Sequence, residues 1–146
     1  MSRVYWDSML FVYVLEGNPT FAPRVKVILD EMQRRGDALC TSVFTLGEVL
    51  TGPRKFGQPA DVARARQFFV SSGRVELLPF SVETSDRYSV IRASTRVGPA
   101  DAIHLAAASE FGVELFLTND KSLQKLSIAG IHFIAGLDGR VFQGEG

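Results

Sequence analysis

Five short apolar segments alternate with helical stretches along the chain, and this alternation restricts the fold more than any other feature. The segments are Arg3-Val4-Tyr5-Trp6, Ala38-Leu39-Cys40-Thr41, Val75-Glu76-Leu77-Leu78, Glu114-Leu115-Phe116-Leu117-Thr118 and Ile131-His132-Phe133-Ile134. Between them lie residues with helical spacing, such as Val25, Ile28, Leu29 and Met32, with Arg24, Lys26, Asp30, Arg34 and Arg35 on the opposite side. Short apolar strands separated by helices predict an α/β fold, a parallel sheet covered by helices on both faces.

Local signals set the expected boundaries. Asp7 and Ser8 are good helix N-caps for Met9 to Leu15, because their side-chain oxygens accept from free N–H groups of the first turn. Gly17-Asn18-Pro19 stops that helix, and Gly36 closes the next. Ser42 is expected to cap a helix from Val43 to Leu50 that Gly52-Pro53 ends. Further helices are expected over 61–69, 82–96 and 121–126, and Pro99 suits the first position of another that runs to Gly112. No repeat or linker divides the chain. Residues 1–136 read as one domain and the glycine-rich stretch 137–146 as a flexible tail.

Composition then removes several classes of function. Hydrophobic residues make up 46% of the 146, enough to form a core without a staple. Cys40 is the only cysteine, so no intramolecular disulfide forms, which fits a reducing, cytoplasmic compartment. The longest apolar run, Met9 to Leu15, is far short of a membrane span. Sixteen basic and sixteen acidic residues cancel, which argues against binding nucleic acid through bulk charge. The exception is local. From Arg54 to Arg74 there are five basic residues (Arg54, Lys55, Arg64, Arg66 and Arg74) against Asp61, a net +4.

In an open parallel sheet, ligands bind where the strands' carboxyl ends meet loops and helix N-termini. Asp7 directly follows the first strand and Asp120 the fourth; Asp101 lies in the first turn of the helix opened by Pro99, and Glu48 on the helix after the second strand. Each alone has a structural explanation. Asp7 and Asp120 serve as caps or turn residues, Asp101 suits a helix N-terminus, and Glu48 suits a solvated helix face. Together, in apolar neighbourhoods, they conflict. Two carboxylates ~4 Å apart repel by about 4 kcal/mol at an effective dielectric near 20, so a converging group must take up protons or hold cations. With no nitrogen or sulfur cluster present, hard Mg²⁺ or Mn²⁺ is the matching ion, and carboxylate-held metal suits phosphodiester hydrolysis.

The segments Val4-Tyr5-Trp6-Asp7-Ser8, Thr45-Leu46-Gly47-Glu48, Pro99-Ala100-Asp101-Ala102-Ile103-His104-Leu105-Ala106-Ala107-Ala108 and Leu117-Thr118-Asn119-Asp120 resemble a PIN domain. The size is similar to that of VapC-type toxins of bacterial and archaeal toxin–antitoxin pairs. The resemblance implies an α/β/α sandwich with a five-stranded parallel sheet in the order 3-2-1-4-5. It also implies a Mg²⁺- or Mn²⁺-dependent ribonuclease acting on RNA, with a cognate antitoxin and a homodimeric assembly as partners. Carried over by position, Asp7, Glu48, Asp101 and Asp120 match the acidic quartet. Asp7 and Asp101 would be the strongest metal ligands, Asp120 would complete the site, and Glu48 would bind a second ion or orient the attacking water. Ser8 would support them. Met9 is bulkier than usual at its place, and Leu123 stands where an aromatic residue often follows the last aspartate. Two alternatives accompany this reading: a non-catalytic PIN fold that binds RNA or protein, and a metal-dependent nuclease acting on DNA.

Other features are read as structural. His104, flanked by Ile103 and Leu105, is expected to be a partly buried histidine satisfied by a neighbour. His104, His132 and Cys40 supply no zinc ligand set, and Cys40 is expected to pack in its strand. No Walker loop or G-x-G-x-x-G occurs, so no nucleotide cofactor is indicated.

Overall fold

The computed structural model describes residues 2–138 and Phe142. Five parallel strands form one sheet in the order β3-β2-β1-β4-β5. They are β1 (Arg3–Trp6), β2 (Ala38–Ser42), β3 (Glu76–Leu78), β4 (Leu115–Leu117) and β5 (Phe133–Ala135). The helices are α1 (Ser8–Glu16), α2 (Ala22–Arg35), α3 (Val43–Lys55), α4 (Pro59–Arg66), α5 (Val82–Ser94), α6 (Pro99–Glu110) and α7 (Lys121–Gln124). The expected class and strand order are both present. Because β1 lies between β2 and β4, residues just after β1 and β4 share one end of the sheet. Val4 pairs with Leu115 and Trp6 with Leu117.

Strand alternation gives each face its own core. Val4, Trp6, Leu39, Leu115 and Leu117 face α1 to α4, where they meet Leu10, Phe11, Val25, Ile28 and Phe69. Tyr5, Cys40, Leu78 and Phe116 face the other way, onto Ile91 of α5 and the Ala102, Leu105, Ala106, Ala107 and Ala108 row of α6. The alanines bring α6 close to the strands, and the Tyr5 ring stacks on Phe116 at 4.9 Å. Cys40 packs as expected, its thiol pushed up to about 12 chiefly by burial.

Several boundaries differ from the sequence reading. Gly52-Pro53 does not end α3, which continues to Lys55. A proline normally forces the preceding residue out of the helical region because its ring meets that residue's Cβ, and Gly52 has none. The chain expected to be helical over 61–69 begins at Pro59, and beyond Arg66 it widens into a π-helical turn, Gln67–Ser71. The last strand, expected over Ile131–Ile134, starts two residues later and ends one residue later, at Phe133–Ala135. Gly36 closes α2 as expected, in the left-handed conformation (φ 74°) that glycine adopts without strain. Most of the expected tail, 137–146, lies outside the described residues; Leu137 is buried, and the Phe142 ring lies 4.6 Å from the Arg35 guanidinium. No described helix is long and apolar enough to cross a membrane.

Candidate active site

Strand pairing carries the first two acids to one place. The Asp7 N–H donates to the Leu117 carbonyl (2.9 Å), tying the residue after β1 to the end of β4. Asp7 caps α1, and its carboxylate accepts from the Ser8 N–H (2.8 Å) and the Thr118 hydroxyl (2.8 Å). Thr118 Oγ1 in turn accepts the Asp120 N–H (3.1 Å), so one hydroxyl links both acids. Asp120 caps α7, accepting from the N–H (2.9 Å) and hydroxyl (2.6 Å) of Ser122. These Ser122 contacts hold its carboxyl below the usual range. The capping readings were therefore correct, and capping does not remove either acid from the cleft.

The other two acids come from helices on different strand connections. Asp101 sits in the first turn of α6, and among the described residues its carboxylate accepts no hydrogen bond. Its pKa is raised, first by partial burial, then by the charges of Asp7 and Asp120, with a smaller contribution from Glu48. Glu48, on α3, directs Oε1 at His104 Nε2, 2.6 Å away. His104 is 2% exposed, and its Nδ1 lies 2.6 Å from the Tyr5 hydroxyl. The histidine is thus satisfied by neighbours, as its apolar flanks predicted. That one neighbour is a candidate site residue was missed; the available signal was His104 lying one helical turn after Asp101.

All four acids line one cleft of about 390 Å³, together with His104, Met9, Tyr13 and Asn119. Among the described residues, no lysine or arginine forms an ion pair with any of them. Nor do three of their side chains close into a ready-made ion cage. A small hard cation is commonly held by one or two carboxylates with water filling the rest of its shell, and a cleft of this volume has room for those waters. The donor set is oxygen throughout, and the raised Asp101 is the charge defect a cation would relieve. The residues present therefore fit a divalent ion.

A PIN domain family model matches residues 4–129, a span that contains all four acids and every strand but the last. The chain belongs to the PIN domain family. PIN domains of the VapC kind are nucleases, and PIN nucleases generally use divalent metal. A search of curated protein sequences finds no significant match. Among solved structures, the chain is similar to one of VapBC2 from Rickettsia felis bound to a DNA fragment from the promoter. The TM-score is 0.74 at 16% identity, covering 92% of this chain and 98% of that one. DNA-bound VapBC from Salmonella typhimurium gives 0.72 at 21% identity, covering 94% and 99%. VapBC-5 from Mycobacterium tuberculosis gives 0.59 at 18%, covering 92% and 98%. At these identities the likeness establishes a shared fold over nearly the whole PIN domain.

Proposed function

We propose that this PIN domain is a Mg²⁺- or Mn²⁺-dependent endoribonuclease of the cytoplasm and the toxin half of a toxin–antitoxin pair. The observation that carries the catalytic reading is Asp101: a half-buried carboxylate that shares a cleft with three other acids and, among the described residues, has neither a hydrogen bond nor a lysine or arginine partner. Asp7 and Asp101 are the main ligands in this reading, Asp120 completes the set, and Glu48 binds a second ion or orients water. A bound ion would supply an acidified water and would offset charge on the phosphoryl oxygens. The chain's own part is preorganisation. Thr118 and the Ser8 N–H hold Asp7 in one rotamer, Ser122 holds Asp120, and the unbonded Asp101 loses no hydrogen bond when it takes a ligand. The exposed basic residues Arg54, Lys55, Arg64 and Arg66 are placed by this reading on the RNA phosphates, a contact that weakens with salt.

The toxin role is supported by the VapBC likeness and by an apolar groove. Between α1, α3 and α4 lies a cavity of about 430 Å³ whose apolar wall is formed by Val12, Leu15, Val49, Pro53, Phe56 and Ala65, with Glu16, Gln58, Asp61 and Arg64 also lining it. Phe56 is 77% exposed there and Leu15 37%, so the apolar wall of the groove is open to a partner. This groove on the early helices is the proposed seat of an antitoxin segment, in a complex built on a symmetric PIN-domain dimer.

The experiment is RNA cleavage by purified protein, wild type against Asp7→Asn and Asp101→Asn, with and without chelator. The reading requires that chelator stop the wild type and that both variants be inactive while folded. Cleavage that survives in chelator and in both variants would falsify it. DNA offered in parallel tests the substrate class. Growth arrest on expression, relieved by a co-expressed neighbouring small protein, tests the toxin role.

A further inference from the structure

Three of the four acids in the cleft owe their position to a hydrogen bond, but only Glu48 depends on a distant, wholly buried residue with no cap of its own helix to help. Asp7 and Asp120 are held by the first turns of their own helices, as capping requires, with Thr118 added at Asp7. Glu48 lies in the middle of α3, where no such local donor exists, and its partner His104 is 56 residues away on α6. That partner is itself anchored. The Ser42 N–H donates to the Tyr5 hydroxyl oxygen (3.1 Å), and this hydroxyl lies 2.6 Å from His104 Nδ1.

The protons in this chain can be assigned. Burial raises the Tyr5 phenol far above its ordinary pKa, so it keeps its proton. The phenol oxygen already accepts from Ser42. A bare Nε2 would set its lone pair against the Glu48 carboxylate oxygen 2.6 Å away, so the ring proton belongs on Nε2. Nδ1 is then bare and accepts the phenol proton across 2.6 Å. The imidazole N–H then sits on Nε2 and points at Glu48 Oε1, with Asp7 Oδ1 farther off at 3.8 Å. Phe44 and Tyr5 meet the ring edge-to-face (5.7 and 5.8 Å between centroids), which restrains it from turning over.

We propose that His104 is a positioning residue: locked by Tyr5 as the Nε2–H tautomer, it aims the Glu48 carboxylate into the acidic cleft through a relay running Ser42 N–H, Tyr5 O–H, His104 Nε2–H, Glu48. The relay does not touch substrate. It gives a long side chain, which would otherwise sample many rotamers at the cleft wall, one orientation relative to Asp7 and Asp101. What Glu48 does once placed rests on the nuclease reading above; the relay itself does not.

The test has one part that needs no RNA. In metal-free, ¹⁵N-histidine-labelled protein, long-range ¹H–¹⁵N correlation should show His104 with a protonated Nε2 and a bare Nδ1. Tyr5→Phe should lose that single-tautomer signature while keeping the fold. An Nδ1–H tautomer in the wild type overturns the proposal. The second part compares His104→Gln, whose amide N–H can reach Glu48 from about the Nε2 position, with His104→Leu, which cannot donate. Removing such an outer hydrogen bond commonly lowers metal affinity or turnover by about 10–100-fold. His104→Leu should show that loss in Mn²⁺ affinity (by calorimetry) or in kcat, with KM for RNA within about twofold of wild type, and His104→Gln should recover most of it. Leu and Gln variants of equal Tm that are equally impaired, or a Leu variant equal to wild type, overturn it. Tyr5→Phe, which leaves both His104 and Glu48 in place, serves if the His104 variants do not fold. A wild type with the Nε2–H tautomer and Mn²⁺ binding but no RNA cleavage would remove the nuclease reading and leave the relay standing.

Discussion

The two ends of the sheet treat their acids in opposite ways. At the amino end Glu76, Asp37 and Glu114 each meet a base. Arg3 makes a bidentate pair with Glu76 (3.0 and 3.2 Å), Arg35 pairs with Asp37 (2.9 Å), and His132 lies 3.1 Å from Glu114. At the carboxyl end Asp7, Glu48, Asp101 and Asp120 share a cleft with one buried imidazole and no lysine or arginine partner among the described residues. Ordinary surface design cancels charge, as the amino end does. A cluster left uncancelled costs stability unless something from outside supplies the missing positive charge. The contrast is informative because both ends belong to one small, electrically neutral chain.

The comparison can be broken most severely at Asp101. Asp101→Asn should lower metal-dependent RNA cleavage by at least ~100-fold, more than the loss of an outer partner would. Its Tm should be equal to or above that of the metal-free wild type, because a repelling charge has been removed. A parallel loss of activity and Tm would mean that Asp101 serves the fold instead. The second effect is that of the ion itself. Mg²⁺ or Mn²⁺ at ten times its Kd should stabilise the wild type by about 1.4 kcal/mol, roughly 3–6 °C in Tm. Asp101→Asn should show little of this shift, and a scanning calorimeter with and without chelator reads both.

A smaller, pH-dependent difference sharpens the contrast. The Asp101 carboxyl is raised in the fold, so the folded chain holds its proton to higher pH than the unfolded chain does. Above the unfolded value near ~4 it therefore subtracts stability as pH rises, until its folded pKa is passed. Asp120 is depressed and has the opposite sign: it adds stability above ~4, lost as pH falls through its folded pKa. In chelator, the Tm of Asp101→Asn minus that of wild type should thus grow as pH rises above about 4, while the same difference for Asp120→Asn should become more negative as pH rises toward about 4 and stay constant above it. The smallest change is expected at the amino end. Arg3→Ala removes an exposed pair worth ~1 kcal/mol at most, and cleavage should match wild type. An Arg3 variant with altered cleavage would show that the two ends are coupled.

Much of this arrangement was legible before folding. Asp7 and Asp120 announced themselves because a cap is a local event: the acid, the strand before it and the helix after it lie within a few residues. The strand order followed from resemblance and was confirmed by the pairing of β1 with β2 and β4. The run through Gly52-Pro53 was misread because the usual meaning of proline depends on a Cβ that Gly52 lacks. The reach of Glu48 to His104 had no sign on α3 itself, since an acid in mid-helix looks solvated until its neighbours are known; the one hint lay on the other element, His104 one turn after Asp101.

The sequence by itself determined which segments became strands and helices, where caps fell and which acids followed the strands, because these depend on backbone hydrogen bonds and side-chain periodicity over short stretches. Only the tertiary structure decided that Thr118 would bridge to Asp7 across 111 residues, that His104 would stand between Tyr5 and Glu48, and that no lysine or arginine among the described residues would pair with Asp101. Those outcomes turn on angles and distances between packed elements, where a shift of one residue in register would turn a partner to the opposite face of the sheet.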